Sequence, residues 1–262
     1  MAFQKSRLTS RWGEESARLA VIAVVVCGVC VGLTACGSAE PAAMPTASVD
    51  HPQLLTENQA EELAGMRLRN HIRGIVAIDG RLTGEAGDML VRGWVDFANR
   101  VGYIRITPSG SLSFLVAWDE VSVAYLDVYD DAVEPPQSAP GIGWRSARFD
   151  AGASDLTRLL AALLLLSDDR PENPLLIGQN GARFLGEEKV GAITARRFSG
   201  VSTEPGGGAD LGTQYWLDEE STLVRFGIRL AGSEMSTVDF SAPDADLSGL
   251  PRASDLAGAD GG

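Results

Sequence analysis

The strongest constraint on this chain is a set of stretches in which apolar side chains recur at every second residue. Met89, Val91, Gly93, Val95 and Phe97 alternate with Leu90, Arg92, Trp94 and Asp96. Leu112, Phe114, Val116 and Trp118 share one side of a later run, and Val224, Phe226, Ile228 and Leu230 share one side of another. A period of two sends alternate side chains to opposite faces of a pleated sheet. Such a strand keeps one dry face and one wet face, as antiparallel sheets do. Between His71 and Val128 the breaks are short and rich in turn residues, notably Thr83-Gly84-Glu85-Ala86-Gly87 and Pro108-Ser109-Gly110. That predicts a five-stranded antiparallel meander, with His71 at its start. Strand signals return from Ala182 to Ser241, giving about ten strands in all.

Only two helices are legible beside them. Thr56 and Gln59 form an S/T-x-x-E/Q capping box at the head of a helix over 56–70. Ser154 is placed to cap a second helix over 155–166. There Leu156, Leu159, Leu160, Leu163 and Leu164 make a stripe, and Ala161, Ala162, Leu165 and Leu166 widen it almost all round. A helix this apolar has to be covered on all sides. Residues 130–143 read as a loop, 173–180 as a short irregular stretch, and the small, acidic residues 242–262 as a disordered tail. The fold class is therefore α+β: a curved antiparallel sheet with helices packed on its concave side. Such a concavity is filled by side chains or left as a cavity, and the residues leave both readings open.

The N-terminus carries a second signal. Lys5, Arg7, Arg11 and Arg18 precede an apolar run that closes on Leu33-Thr34-Ala35-Cys36. A basic region, an apolar core and a small-residue cleavage site make a secretory signal, and cysteine directly after Leu-Thr-Ala is the bacterial lipobox. It predicts removal of residues 1–35 and diacylation of Cys36, which becomes the first residue of a chain tethered at the outer side of the cell membrane. Each buried methylene contributes about 0.8 kcal/mol, so two acyl chains anchor stably. Residues 36–53 then read as the acylated cysteine and a flexible linker, residues 54–241 as the domain. Cys27 and Cys30 spell C-x-x-C, but inside a signal core they are small apolar residues that leave with it.

Charge and chemistry narrow the function. Without residues 1–35 the chain keeps 18 basic and 33 acidic residues, net −15. Such a surface repels phosphates, so nucleic acid is not expected as a partner. The two histidines, His51 and His71, cannot supply a histidine-ligated metal site or a Ser-His-Asp triad. There is no G-x-S-x-G elbow or P-loop. The paired carboxylates, such as Asp168-Asp169 and Glu219-Glu220, sit at predicted turns as solvated charge. No catalytic residue, metal or cofactor is expected, and the chain reads as a non-enzyme.

Two segments carry a resemblance. They are Phe184-Leu185-Gly186-Glu187-Glu188-Lys189-Val190-Gly191 with its following strand, and the hairpin Tyr215-Trp216-Leu217-Asp218 through Arg225. With the lipobox, linker and early helix, their order resembles the actinobacterial LppX/LprA/LprF/LprG lipoproteins over residues 54–241. The resemblance implies a half-barrel similar to the carriers LolA and LolB. It also implies a hydrophobic cavity that binds or carries acylated lipids or glycolipids. The candidate lining is Leu156, Leu159, Leu160, Leu163 and Leu164 from the helix, facing Leu112, Phe114, Val116, Val224, Phe226 and Ile228 from the sheet. The alternative is a packed core in a module that senses the envelope through a membrane protein partner.

Overall fold

The computed structural model describes residues 51–84, 87–128, 143–201, 210–231, 234–244 and 247–257. The signal segment, Cys36 and residues 130–142 of the predicted loop lie outside the described residues. All described elements fall in one compact unit, Thr46–Gly262.

Among the described residues, twelve strands form one antiparallel sheet. β1 (Gln53–Leu54) precedes helix α1 (Glu57–Arg73). A meander follows: β2 (Ile75–Gly84), β3 (Gly87–Asp96), β4 (Val101–Pro108), β5 (Ser113–Trp118), β6 (Ser122–Val128) and β7 (Arg145–Arg148). Helices α2 (Asp155–Leu164) and α3 (Pro174–Gln179) come next. A second meander is β8 (Arg183–Val190), β9 (Ile193–Gly200), β10 (Asp210–Leu217), β11 (Leu223–Arg229) and β12 (Met235–Ser241), and the short α4 (Ala253–Ala257) closes the described chain. The strand order is β1-β8-β9-β10-β11-β12-β2-β3-β4-β5-β6-β7, so the two meanders join where β12 pairs with β2.

The sheet curves and does not close. Phe198 on β9 and Val123 on β6 belong to one apolar core around the helices. Those strands stand third and eleventh in the order. At a spacing of ~4.8 Å a flat sheet would hold them roughly 38 Å apart, so a shared core requires the sheet to wrap around α1 and α2. Every strand then has a concave and a convex side. Val95, Ile104, Val116 and Trp118 face the concave core, while Trp94, Tyr103, Leu115 and Ala117 make a separate convex cluster.

The helices fill the concave side as their sequence demands. Thr56 caps α1, and its side chain and that of Gln59 each bond the other's backbone N–H. Ala60, Leu63, Ala64 and Met66 are its buried stripe. α1 runs further than its periodicity predicts and ends at Gly74, with φ at 71°. His71 therefore lies in its last turn, not at a strand start. α2 is capped by Ser154, whose Oγ accepts from the Thr157 amide at 3.1 Å. Leu159, Leu160 and Leu163 are fully buried against the sheet, each worth about 1.5–3 kcal/mol. Two buried polar contacts fix the helix ends: Asn70 Nδ2 donates to the Leu166 carbonyl at 2.8 Å, and Ser167 Oγ to the Phe97 carbonyl at 2.6 Å.

Two segments depart from expectation. Residues 173–180, read as irregular, contain α3: Asn173 caps it through the Leu175 amide at 3.0 Å, and Pro174 takes its first turn. The tail over 242–262, read as disordered, is folded over part of its length. Leu247, Leu250, Ala253 and Leu256 lie on the convex cluster of Trp94, Tyr103 and Trp144. Spaced three apart, they put apolar side chains on one side of a strap.

Candidate functional site

The candidate site is a pocket of about 420 Å³ at the start of α2, on the concave side. Local sequence builds each wall. The β2–β3 hairpin brings Leu82 and Met89 to one side, because these two residues are register partners and so share a face of the sheet. Phe114 on β5 makes a second wall and packs against Tyr125 on β6, with ring centres 6.3 Å apart. The Gly152-Ala153-Ser154 turn and the first turn of α2, with Leu156, make the third.

The polar end is at the helix start. Ser154 and Thr157 are tied to each other by the capping box. Asp155 accepts from Arg158 Nη1 at 3.1 Å and from the Ala231 amide at 3.4 Å. The Asp155 side chain is 14% exposed and that of Arg158 48%. The pocket is therefore mixed: Leu82, Met89, Phe114 and Leu156 give it apolar faces, glycine turns add polar backbone, and an ion pair stands at one end. Burial moves the titration of groups elsewhere on the surface of the core. It lowers the Arg69 and Arg73 guanidinium values at the end of α1 and raises the Tyr125 phenol behind Phe114.

The structure separates the eleven nominated lining residues into four groups. Phe114 and Leu156 line the pocket. Val116, Leu159, Leu160, Leu163, Leu164 and Phe226 are buried in the core, and Ile228 packs against it. These seven fill the middle of the concave side. Leu112 is 58% exposed just before β5 and is not among the residues lining this pocket. Val224 faces the other side of the sheet, with Trp216, Val190 and Ala195. The reason is a register shift: Trp216 pairs with Arg225 but Leu217 pairs with Leu223, which leaves Val224 unpaired. Such an extra residue inverts the alternation.

Leu82, Met89, Asp155 and Arg158 were not nominated. The signals for them were present: Met89 heads the period-two run of its strand, and Asp155 and Arg158 stand at i, i+3 on a helix start. Cys36 lies outside the described residues. Among those described, no three side chains of His, Cys, Asp or Glu converge on one point, and no helix is long and apolar enough to cross a membrane.

No family model matches the chain, and no curated protein does. Solved structures give matches at low identity. A conserved, uncharacterised protein from Thermus thermophilus is 12% identical with a TM-score of 0.37, over 71% of this chain and 89% of its own. A LolA superfamily protein from Nitrosomonas europaea is 13% identical with a TM-score of 0.26, over 75% and 96%. A domain from Vibrio parahaemolyticus named for outer membrane lipoprotein sorting is 10% identical with a TM-score of 0.27, over 77% and 97%.

Proposed function

We propose that the chain is a non-enzymatic, extracytoplasmic lipoprotein, anchored through diacylated Cys36, that binds acylated lipids or glycolipids through the pocket at the start of α2. The observation that carries this reading is the pocket itself. Its 420 Å³ falls within the roughly 300–1,000 Å³ of small-molecule sites, and Leu82, Met89, Phe114 and Leu156 give it apolar walls. An acyl chain lying along those side chains leaves water for apolar contact, and that transfer drives binding. The lipobox supplies the location, since a tether at Cys36 keeps the pocket near a membrane from which acyl chains can be drawn.

The filled middle of the concave side favours the second reading, an interaction module with a packed core. Native mass spectrometry separates the two. The chain from Gly37 contains the whole described core and lacks its own acyl group. Purified from an actinobacterial host, it is expected to carry a discrete added mass that denaturation releases as lipid. Met89→Trp, which fills the pocket, is expected to lose that mass. A bare chain that also takes up no added phospholipid or glycolipid would favour the interaction module.

A further inference from the structure

We infer that the pocket takes a single acyl chain with an anionic head, held by the guanidinium of Arg158. The inference rests on the lipid-binding reading above and specifies its ligand.

Volume sets the chain number. At about 420 Å³ the pocket lies near the lower end of the roughly 300–1,000 Å³ of small-molecule sites, which suits one acyl chain better than two or three. The pocket cannot lengthen into the domain, because Leu159, Leu160 and Leu163 are fully buried directly along α2. Two or three chains would need that space, and opening it would break the core.

The polar end sets the head. Of the side chains there, Ser154 and Thr157 are occupied by each other. The Asp155 carboxylate is mostly buried and already accepts from Arg158 and from the Ala231 amide. Both donors meet the same oxygen, Oδ1, and the guanidinium already offsets the carboxylate's charge, which weakens its pull on a cationic head. Arg158 is different. It is half exposed, and among the described residues its side chain donates only to Asp155. A guanidinium has five N–H donors in a planar fork that matches a carboxylate or a phosphate. The first turns of α2 add the positive end of the helix dipole. Both features favour a negative head at the mouth, with the tail along Met89, Phe114 and Leu82.

The test uses the chain from Gly37, a fluorescent fatty-acid reporter and three competitors: myristate, its neutral methyl ester, and dimyristoylphosphatidylglycerol. Myristate is expected to compete about tenfold or more better than the ester, the size of one charge-assisted contact. Arg158→Gln is expected to bring myristate down to the level of the ester, Arg158→Lys to keep part of the preference, and Arg145→Gln on β7 to leave it intact. The two-chain lipid is expected to compete poorly. Equal competition by ester and acid would overturn the anionic head. Equal competition by the two-chain lipid would overturn the single chain. Both of those results leave lipid binding standing, whereas failure of the reporter and of every competitor to bind removes the lipid-binding reading and this inference with it.

Discussion

The indole N–H of Trp118 donates to the main-chain oxygen of Leu160 across 3.2 Å, joining the end of β5 to the middle of α2. Both side chains are fully buried. Trp118 is thereby fixed in position, and its ring covers Gly102, its register partner on β4. A methyl group on Gly102 would overlap the Trp118 ring. Gly102→Ala is therefore expected to destabilise the fold by about 1–3 kcal/mol, as overpacking does. Urea unfolding measures it. In a double-mutant cycle with Trp118→Leu, which vacates the ring, most of that cost is expected to vanish; an additive result would show that the two residues do not compete for space.

Asn70 and Ser167 each satisfy a buried carbonyl far away in sequence, Leu166 and Phe97. Removing a donor leaves its acceptor buried and unpaired, at a cost of about 1–3 kcal/mol. Asn70→Ala and Ser167→Ala are each expected to lose that much stability, seen as a lower urea midpoint with an unchanged m-value. A change below about 0.3 kcal/mol in either would mean that the carbonyl finds another partner.

Core and pocket residues should part company under mutation. Leu160→Ala opens a void in a filled core and is expected to cost about 2–5 kcal/mol while bound lipid persists in the folded fraction. Leu156→Glu, at the pocket wall, is expected to abolish lipid capture with a smaller loss of stability. Loss of lipid in the first variant and retention in the second would move the site into the middle of α2.

Tyr125 gives a pH signature. Burial raises its phenol above the ordinary value, which is about 10. Above that pH the unfolded chain releases the proton while the folded chain keeps it, so the unfolded state binds fewer protons and stability falls as pH rises. Below it the contribution is fully present. Phenolate absorbance is expected to include a step above the ordinary value that Tyr125→Phe removes. A wild-type titration that Tyr125→Phe merely scales down would refute the assignment.

Truncation after Asp244 removes the strap of Leu247, Leu250, Ala253 and Leu256. Trp94 and Trp144, now 5% and 4% exposed, would face water. The expected results are a red shift in tryptophan emission and a stability loss on the order of 2–4 kcal/mol. Unchanged emission would mean that the strap does not shield these rings.

The meander was legible because its signal is local: alternation in Met89 to Phe97 and turn residues at 108–110 need no tertiary context. The leucine stripe of α2 was equally clear. Val224 was not, because its displacement depends on the turn before β11. There Thr222 donates its amide to Asp218 Oδ1 at 2.7 Å and Ser221 takes a positive φ of 61°. Counting every second residue cannot detect such an insertion. Leu112 was assigned one residue too early, before the strand begins at Ser113. The strap was hidden by averaging: a small, acidic composition masks four apolar residues three apart. The site itself was half legible. Phe114 and Leu156 came from face counting, but the pocket lies where α2 begins, and nothing in a leucine stripe says which end of the helix stays open.

The junction of the two meanders sets the order in which the chain can assemble. β12 is the last strand to be made, yet it stands in the middle of the sheet, pairing with β2 through Ser241 and Ala77. Until it arrives, the first meander exposes the free edge of β2 and the second that of β11. Each half can form its own hairpins early, since those pairs are close in sequence. The seam joins residues more than 150 positions apart, and such non-local pairing is slow. A newly made chain therefore passes through a stage with two open edges beyond those of β1 and β7, and such edges are templates for pairing with other chains. Pairing of β12 covers both at once, so a strand made late protects the middle of the sheet, while β1 and β7 remain its outer edges.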